Sequence, residues 1–144
     1  MRPVFQTRFG GADAPEPEQG NCMAACLASI FECELSAVPD LTGSILTGGW
    51  FFRLQRWLID RNLSLLMLPA KPLDIPAGYA LAGVKSFTLL GPKDGHMVVA
   101  RNGKIVHDPN PRNWGRSSDE YEVTEYWAFT CIDASKQSLG ELYS

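Results

Sequence analysis

A chain of 144 residues, 45% hydrophobic and 20% charged, has the length of one domain and the composition of a folded one, which excludes a wholly disordered chain. Thirteen basic against sixteen acidic residues leave a net charge of −3, which argues against a strongly basic nucleic-acid binder. No apolar run is long enough to cross a bilayer, and the opening MRPVFQTRFGG has no apolar stretch of signal-peptide length. The expected location is therefore the cytoplasm, or a destination reached without a conventional signal peptide.

In chain order, Val4-Phe5 reads as a short strand and GGADAPEPEQG, rich in Gly, Pro and acid, as a surface loop. Asn21 offers a helix N-cap. CMAACLASIFEC, residues 22–33, then reads as a helix. Ala24, Ala25 and Ala28 favour it; Cys22, Cys26, Ile30 and Cys33 lie along one stripe, with Met23, Leu27 and Phe31 beside it. So wide an apolar face predicts a central helix. SAVPD breaks the pattern, and the Gly-bearing loop LTGSILTGG follows. Trp50, Phe51, Leu54, Trp57 and Leu58 recur at helical spacing, with Arg53, Arg56 and Asp60 outward, which predicts a second helix over 50–62.

Residues 64–68 form a short apolar strand candidate, and PAKPLDIPAG, with three prolines, a loop. YALAGVKSFTLL, 79–90, reads as a strand interrupted at Gly83. HMVVA and KIVHD flank Arg101-Asn102-Gly103, the strongest hairpin signal in the chain. NPRNWGRSSDEY is a polar loop and YWAFTCI, 126–132, a last strand. Helices first and hairpin-linked strands after predict an α+β fold with an antiparallel sheet. One domain is expected over 1–134, with a loose tail over 135–144.

The four cysteines, Cys22, Cys26, Cys33 and Cys131, read as reduced, because Cys22 and Cys26 lie one helical turn apart, a poor geometry for a bridge. Cys22 is the reactive candidate. A thiol in the first turn of a helix meets free backbone N–H groups and the positive end of the macrodipole, both of which favour the nucleophilic thiolate. Gly20 just before it permits a tight turn and close approach of a substrate backbone. His96, one of only two histidines, opens a strand and is the candidate base.

Whether Asp108 reaches His96 depends on the hairpin register. A two-residue Asn102-Gly103 loop pairs His96 with Pro109 and turns Asp108 away. A three-residue loop with a bulge at Gly103 sets His96 opposite Asp108, close enough for a carboxylate to orient an imidazole, and puts His107 on the other face. An oxyanion donor is needed too. The Cys22 N–H is one; the amide of Gln6 or, as second choice, Gln19 is the other, with Asn21 kept as the cap. Each residue also has a plain structural role open to it: a buried thiol, a rim histidine, a turn-capping Asp before Pro109. Cys22 and Cys26 with His96 or His107 would make a poor metal site, since the usual C-x₂-C turn is absent; no metal or cofactor is expected.

GNCMAACLASIF followed by GHMVVARNGKIVHDPNP resembles the papain-like cysteine peptidases. The branch it is most similar to is the compact one that includes the double-glycine leader peptidases of bacteriocin exporters and small bacterial and phage relatives. Cys22, His96, Asp108 and Pro109 match in order and context, and Gln6-Thr7 resembles the oxyanion segment, with GGADAPEPE as an insertion. Many leader peptidases carry Asp-Cys-Gly where this chain has Asn21-Cys22-Met23. The resemblance implies a central N-terminal helix packed on a small antiparallel sheet. It also implies a cysteine hydrolase of peptide, isopeptide or side-chain amide bonds in a peptide or protein substrate. Cys22 would attack, His96 carry the proton, Asp108 orient His96, and Gln6 with the Cys22 N–H hold the oxyanion. Gly48, Gly49 and Trp50 are expected at the border of the cleft. No nucleic-acid or membrane partner is expected. The competing expectation is a catalytically silent papain-like binding or inhibitory module.

Overall fold

A computed structural model describes residues 1–43, 49–133 and 135. Two α-helices precede five strands: α1 (Cys22–Phe31), α2 (Gly49–Ile59), β1 (Leu63–Pro69), β2 (Tyr79–Val84), β3 (His96–Arg101), β4 (Lys104–His107) and β5 (Val123–Cys131). The strands form one antiparallel sheet in the order β1-β5-β2-β3-β4. The α+β class follows directly. The tail expected over 135–144 lies outside the described residues apart from Ser135, as do residues 44–48 of the expected loop. Among the described residues no helix is long and apolar enough to cross a membrane.

α1 is the centre of the molecule. Ala25, Cys26, Leu27, Ala28 and Ser29 are wholly buried, and the small side chains let the helix backbone lie close against β3. It stops at Phe31, short of the expected Cys33, because Glu32 turns left-handed (φ 53°) and the Cys33 N–H closes back on the Ala28 carbonyl at 3.0 Å. α2 buries Leu54, Trp57 and Leu58 and ends at Ile59. A left-handed Asn62 (φ 61°) then turns the chain into β1. Leu27, Leu54, Leu58, Leu81, Val99 and Phe129 form the core between helices and sheet. Ala82, Val84, Val98, Ala100 and Tyr126 form a smaller cluster on the opposite face of the sheet.

Two strand bounds differ from expectation for identifiable reasons. β2 ends at Val84 rather than running to Leu90, because the Ser86 hydroxyl accepts the N–H groups of Thr88 and Leu89 and folds the chain into a turn. β5 starts at Val123 rather than Tyr126, because it is flanked on both sides, by β1 and β2, and the pairing extends to Val123. Its pairing with β2 shifts between Gly83 and Val84, where the sequence suggested an interruption.

Val4-Phe5 is not a strand. The Val4 N–H donates instead to the buried Ser29 hydroxyl of α1 (2.8 Å), and the Gln6 N–H to the Pro109 carbonyl (2.9 Å). This N-terminal arm is thereby bolted to both the helix and the end of β4. Ser29→Ala leaves the Val4 N–H without its partner and is expected to cost about 1–3 kcal/mol of stability. Urea unfolding checks it: an unchanged midpoint would mean that water replaces the hydroxyl without loss.

Candidate active site

Cys22 is the first residue of α1, in the first turn as the sequence predicted, and it is half-buried. Asn21 occupies the N-cap position as expected, and its backbone carbonyl accepts the Ala25 N–H (3.1 Å), but its side chain does not cap the helix. Its side-chain carbonyl accepts the N–H groups of Thr7 (2.9 Å) and Arg8 (3.0 Å), and its amide donates to the Thr7 hydroxyl (2.9 Å). The consequence is twofold. The first turn of α1 receives no side-chain cap, so its N–H groups stay available where Cys22, Met23 and Ala24 line a cleft. The arm carrying Gln6 is clamped beside them.

The hairpin that supplies His96 and Asp108 has the two-residue loop, contrary to the three-residue loop on which the contact was expected to depend. Asn102 (φ 50°) and Gly103 (φ 79°) both sit left-handed, the pair that a tight hairpin turn of this hand requires. Arg101 faces Lys104 and Ala100 faces Ile105. The register then slips, so that His107 rather than Val106 faces Val99. This one extra residue moves Asp108 back to the face of His96, because a slip of one reverses which side a residue occupies. His107 falls on the helix side, where its Nε2 donates to the Val4 carbonyl (2.8 Å) and Phe5 packs edge-on against its ring. It takes no part in the site.

His96 Nε2 donates to Asp108 Oδ1 at 2.6 Å, and both side chains are only 8% exposed. Cys22 lies beside the same imidazole, lining both adjoining cavities with it and near enough to raise its pKa. With Nε2 committed to the carboxylate, Nδ1 is the nitrogen left for sulfur. Asp108 is itself held by three further donors. Oδ1 also accepts the Asn110 N–H (2.8 Å), while Oδ2 accepts the Asn113 amide (2.9 Å) and the Tyr121 hydroxyl (2.8 Å). The Asn110 bond is the turn-capping role expected of an Asp before Pro109, so the structural and orienting roles coexist. Asn113 and Tyr121 were not singled out in the sequence. Both lie in the loop 110–121, which looked merely polar.

The electrostatics follow from these contacts. Burial pushes the His96 pKa down, but the hydrogen bond to Asp108 and the nearby Cys22 and Asp108 charges prevail and raise it from 6.5 to about 9. Burial pushes the Asp108 carboxyl up, yet His96, the Asn110 N–H and Asn113 hold it below its ordinary 3.8. Tyr121 is raised by burial and by the facing Asp108 charge. A raised histidine stabilises the fold fully below 6.5, an effect lost as pH rises through about 9. A depressed carboxyl stabilises above 3.8, and that is lost as pH falls through its lowered value. The contribution of the pair to stability is therefore expected to be greatest between about 4 and 6.5. NMR titration of His96 checks the cause. A midpoint near 9 that falls in Asp108→Asn is expected, and a midpoint near 6.5 in both proteins would contradict it.

Of the two amides, Gln6 is the one beside the pair. It is 7% exposed and lines a cavity of about 280 Å³ together with Cys22 and His96. Its Nε2 donates to the Arg8 carbonyl (2.9 Å) with one N–H left over, and its Oε1 has no partner among the described residues. Gln19 is committed elsewhere: its amide donates to Ala12 and Ala14 and accepts from the Gly43 N–H. These bonds organise the loop around residues 12–19 and tie it to Gly43. Trp50 does border the cleft while stacking on Trp127; Gly49 begins α2, and Gly48 lies outside the described residues.

All four cysteines are free. Cys26 is wholly buried, its thiol raised by burial and bonded to the Met97 carbonyl (3.3 Å). That bond fixes α1 to β3 beside His96, and the thiol is inert by enclosure. Among the described residues no group of three or more His, Cys, Asp or Glu is placed to hold a metal ion. No protein-family model, no curated protein and no solved structure matches the chain.

Proposed function

We propose that this chain is a papain-like cysteine hydrolase acting on amide bonds of peptides or proteins. The observation that carries the reading is one imidazole bonded to a buried, multiply bonded carboxylate and set beside a helix-terminal thiol, in a cleft. A nucleophile at the start of a central helix, with its base at the start of β3 and its orienting acid just past the end of the neighbouring β4, supports the papain-like assignment.

In this mechanism Cys22 Sγ gives its proton to His96 Nδ1 and bonds to the carbonyl carbon. The carbonyl oxygen becomes an oxyanion, held by the Cys22 N–H and the remaining N–H of Gln6. His96 returns the proton to the leaving nitrogen as the C–N bond breaks, which leaves a thioester on Cys22. Water, deprotonated by His96, attacks the thioester; the acid leaves and the thiol reforms. Asp108 stays ionised throughout and keeps Nε2–H pointed at itself, so that Nδ1 is free to exchange protons. The same steps serve peptide, isopeptide and side-chain amide hydrolysis.

The test is the thioester. Wild-type protein incubated with a random peptide pool and quenched in acid is expected to carry acyl adducts on the peptide containing Cys22, and Cys22→Ala none. Peptide binding without any adduct would favour the silent binding module instead.

A further inference from the structure

We propose that Glu125 selects substrates carrying a positive charge, most favourably a lysine or arginine side chain, in the half of the cleft away from Gln6. The inference takes the word substrate from the hydrolase reading above; the site itself stands on separate observations.

The Cys22–His96 pair lies where two cavities meet. One holds Gln6; the other, of about 240 Å³, is walled by Met23, Leu41, Trp50 and Met97 and has Glu125 at its side. Glu125 is half-buried on β5, directly opposite Gly83 of β2. A β-carbon at position 83 would overlap the Glu125 carboxylate. The missing side chain thus gives the carboxylate its place over the sheet, within the cleft. Apart from the Thr124 hydroxyl, which donates to it, Glu125 has no ion-pair partner among the described residues.

An apolar channel with one carboxylate matches a particular kind of ligand. Lysine and arginine present a methylene stem that apolar walls can cover and a charged tip that a carboxylate can pair. A neutral apolar group would leave the carboxylate desolvated without a partner, and an acidic group would be repelled. A free peptide amino terminus shares the charge but lacks the stem.

Binding to Cys22→Ala protein, which cannot turn over, separates this inference from catalysis. The probes are N-acetylated, C-amidated Ala/Gly pentapeptides with a central lysine, norleucine or glutamate, and the norleucine peptide with a free amino terminus. Chemical-shift titration of the Gly83 and Glu125 amides reads affinity. The lysine peptide is expected to bind roughly 10- to 100-fold tighter than its acetylated norleucine counterpart, the range for a hydrogen bond to a charged group. Glu125→Gln in the same background should abolish the difference, and Glu122→Gln, which removes an exposed charge nearby, should preserve it. Tight binding of only the free-amine peptide would assign the site to an amino terminus and overturn the side-chain preference. Equal affinities, no binding, or a preference that survives Glu125→Gln overturns the inference. Parallel hydrolysis by the wild-type protein keeps the two readings apart. Hydrolysis without preference sinks the Glu125 site alone, and a Glu125-dependent preference without hydrolysis sinks the hydrolase reading alone.

Discussion

His96→Ala is expected to reduce amide hydrolysis by about 10²- to 10⁴-fold, the range for loss of a positioned acid–base group. In the proposed mechanism the imidazole serves twice, taking the proton from Cys22 and giving it to the leaving nitrogen, and the other histidine is not placed to replace it. His107 is anchored on the helix side of the sheet by the Val4 carbonyl and Phe5. Its replacement should therefore affect stability rather than chemistry. Turnover of His96→Ala at near wild-type rate, followed with any substrate found for the protein, would contradict the assignment.

Asp108→Asn is the second large effect expected, about 10²- to 10⁴-fold in kcat/KM, by loss of both charge and tautomer control. The asparagine keeps the volume but cannot accept from every donor now facing the carboxylate. If its oxygen takes His96 Nε2–H and the Asn110 N–H, its amino group meets the Asn113 amide donor. If it flips, it offers a donor to Nε2 and favours the wrong tautomer. Tyr121→Phe removes one of the four bonds and leaves the charge, so at most about a tenfold loss is expected. Steady-state kinetics of the two variants separate the roles. An Asp108→Asn protein no worse than Tyr121→Phe would reduce Asp108 to a turn cap.

The helix and the cysteine at its start were legible in the sequence because they depend on local signals. Alanine-rich apolar periodicity marks α1, and the loop before Cys22 marks its start. The Asn102-Gly103 turn was equally legible as a hairpin. The register beyond that turn was not. The slip at Val106 arises where β4 leaves the turn and meets the N-terminal arm, and no residue type announces it. The contact between His96 and Asp108 was thus expected for a loop geometry that the chain does not adopt. Asn21 shows the same limit. Its type suits a helix cap, but a tertiary partner, the backbone of Thr7 and Arg8, claims the side chain instead. Gln6 was placed ahead of Gln19, but that the loop consumes the Gln19 amide shows only in the folded chain. Tyr121 and Asn113 reach Asp108 only after the chain has crossed a polar loop, which carries no periodicity to read. Glu125 lay just before the expected last strand and was not singled out; only the pairing of β5 with β2 sets it opposite Gly83.

The central claim is that His96 activates Cys22. The rate of Cys22 alkylation by iodoacetamide, followed by mass spectrometry from pH 5 to 10 in wild-type and His96→Ala protein, tests it most directly. The account predicts that wild-type Cys22 reacts well below pH 8, faster than Cys33 and Cys131 and far faster than enclosed Cys26, and that His96→Ala loses this low-pH reactivity. Identical pH profiles in the two proteins would contradict it.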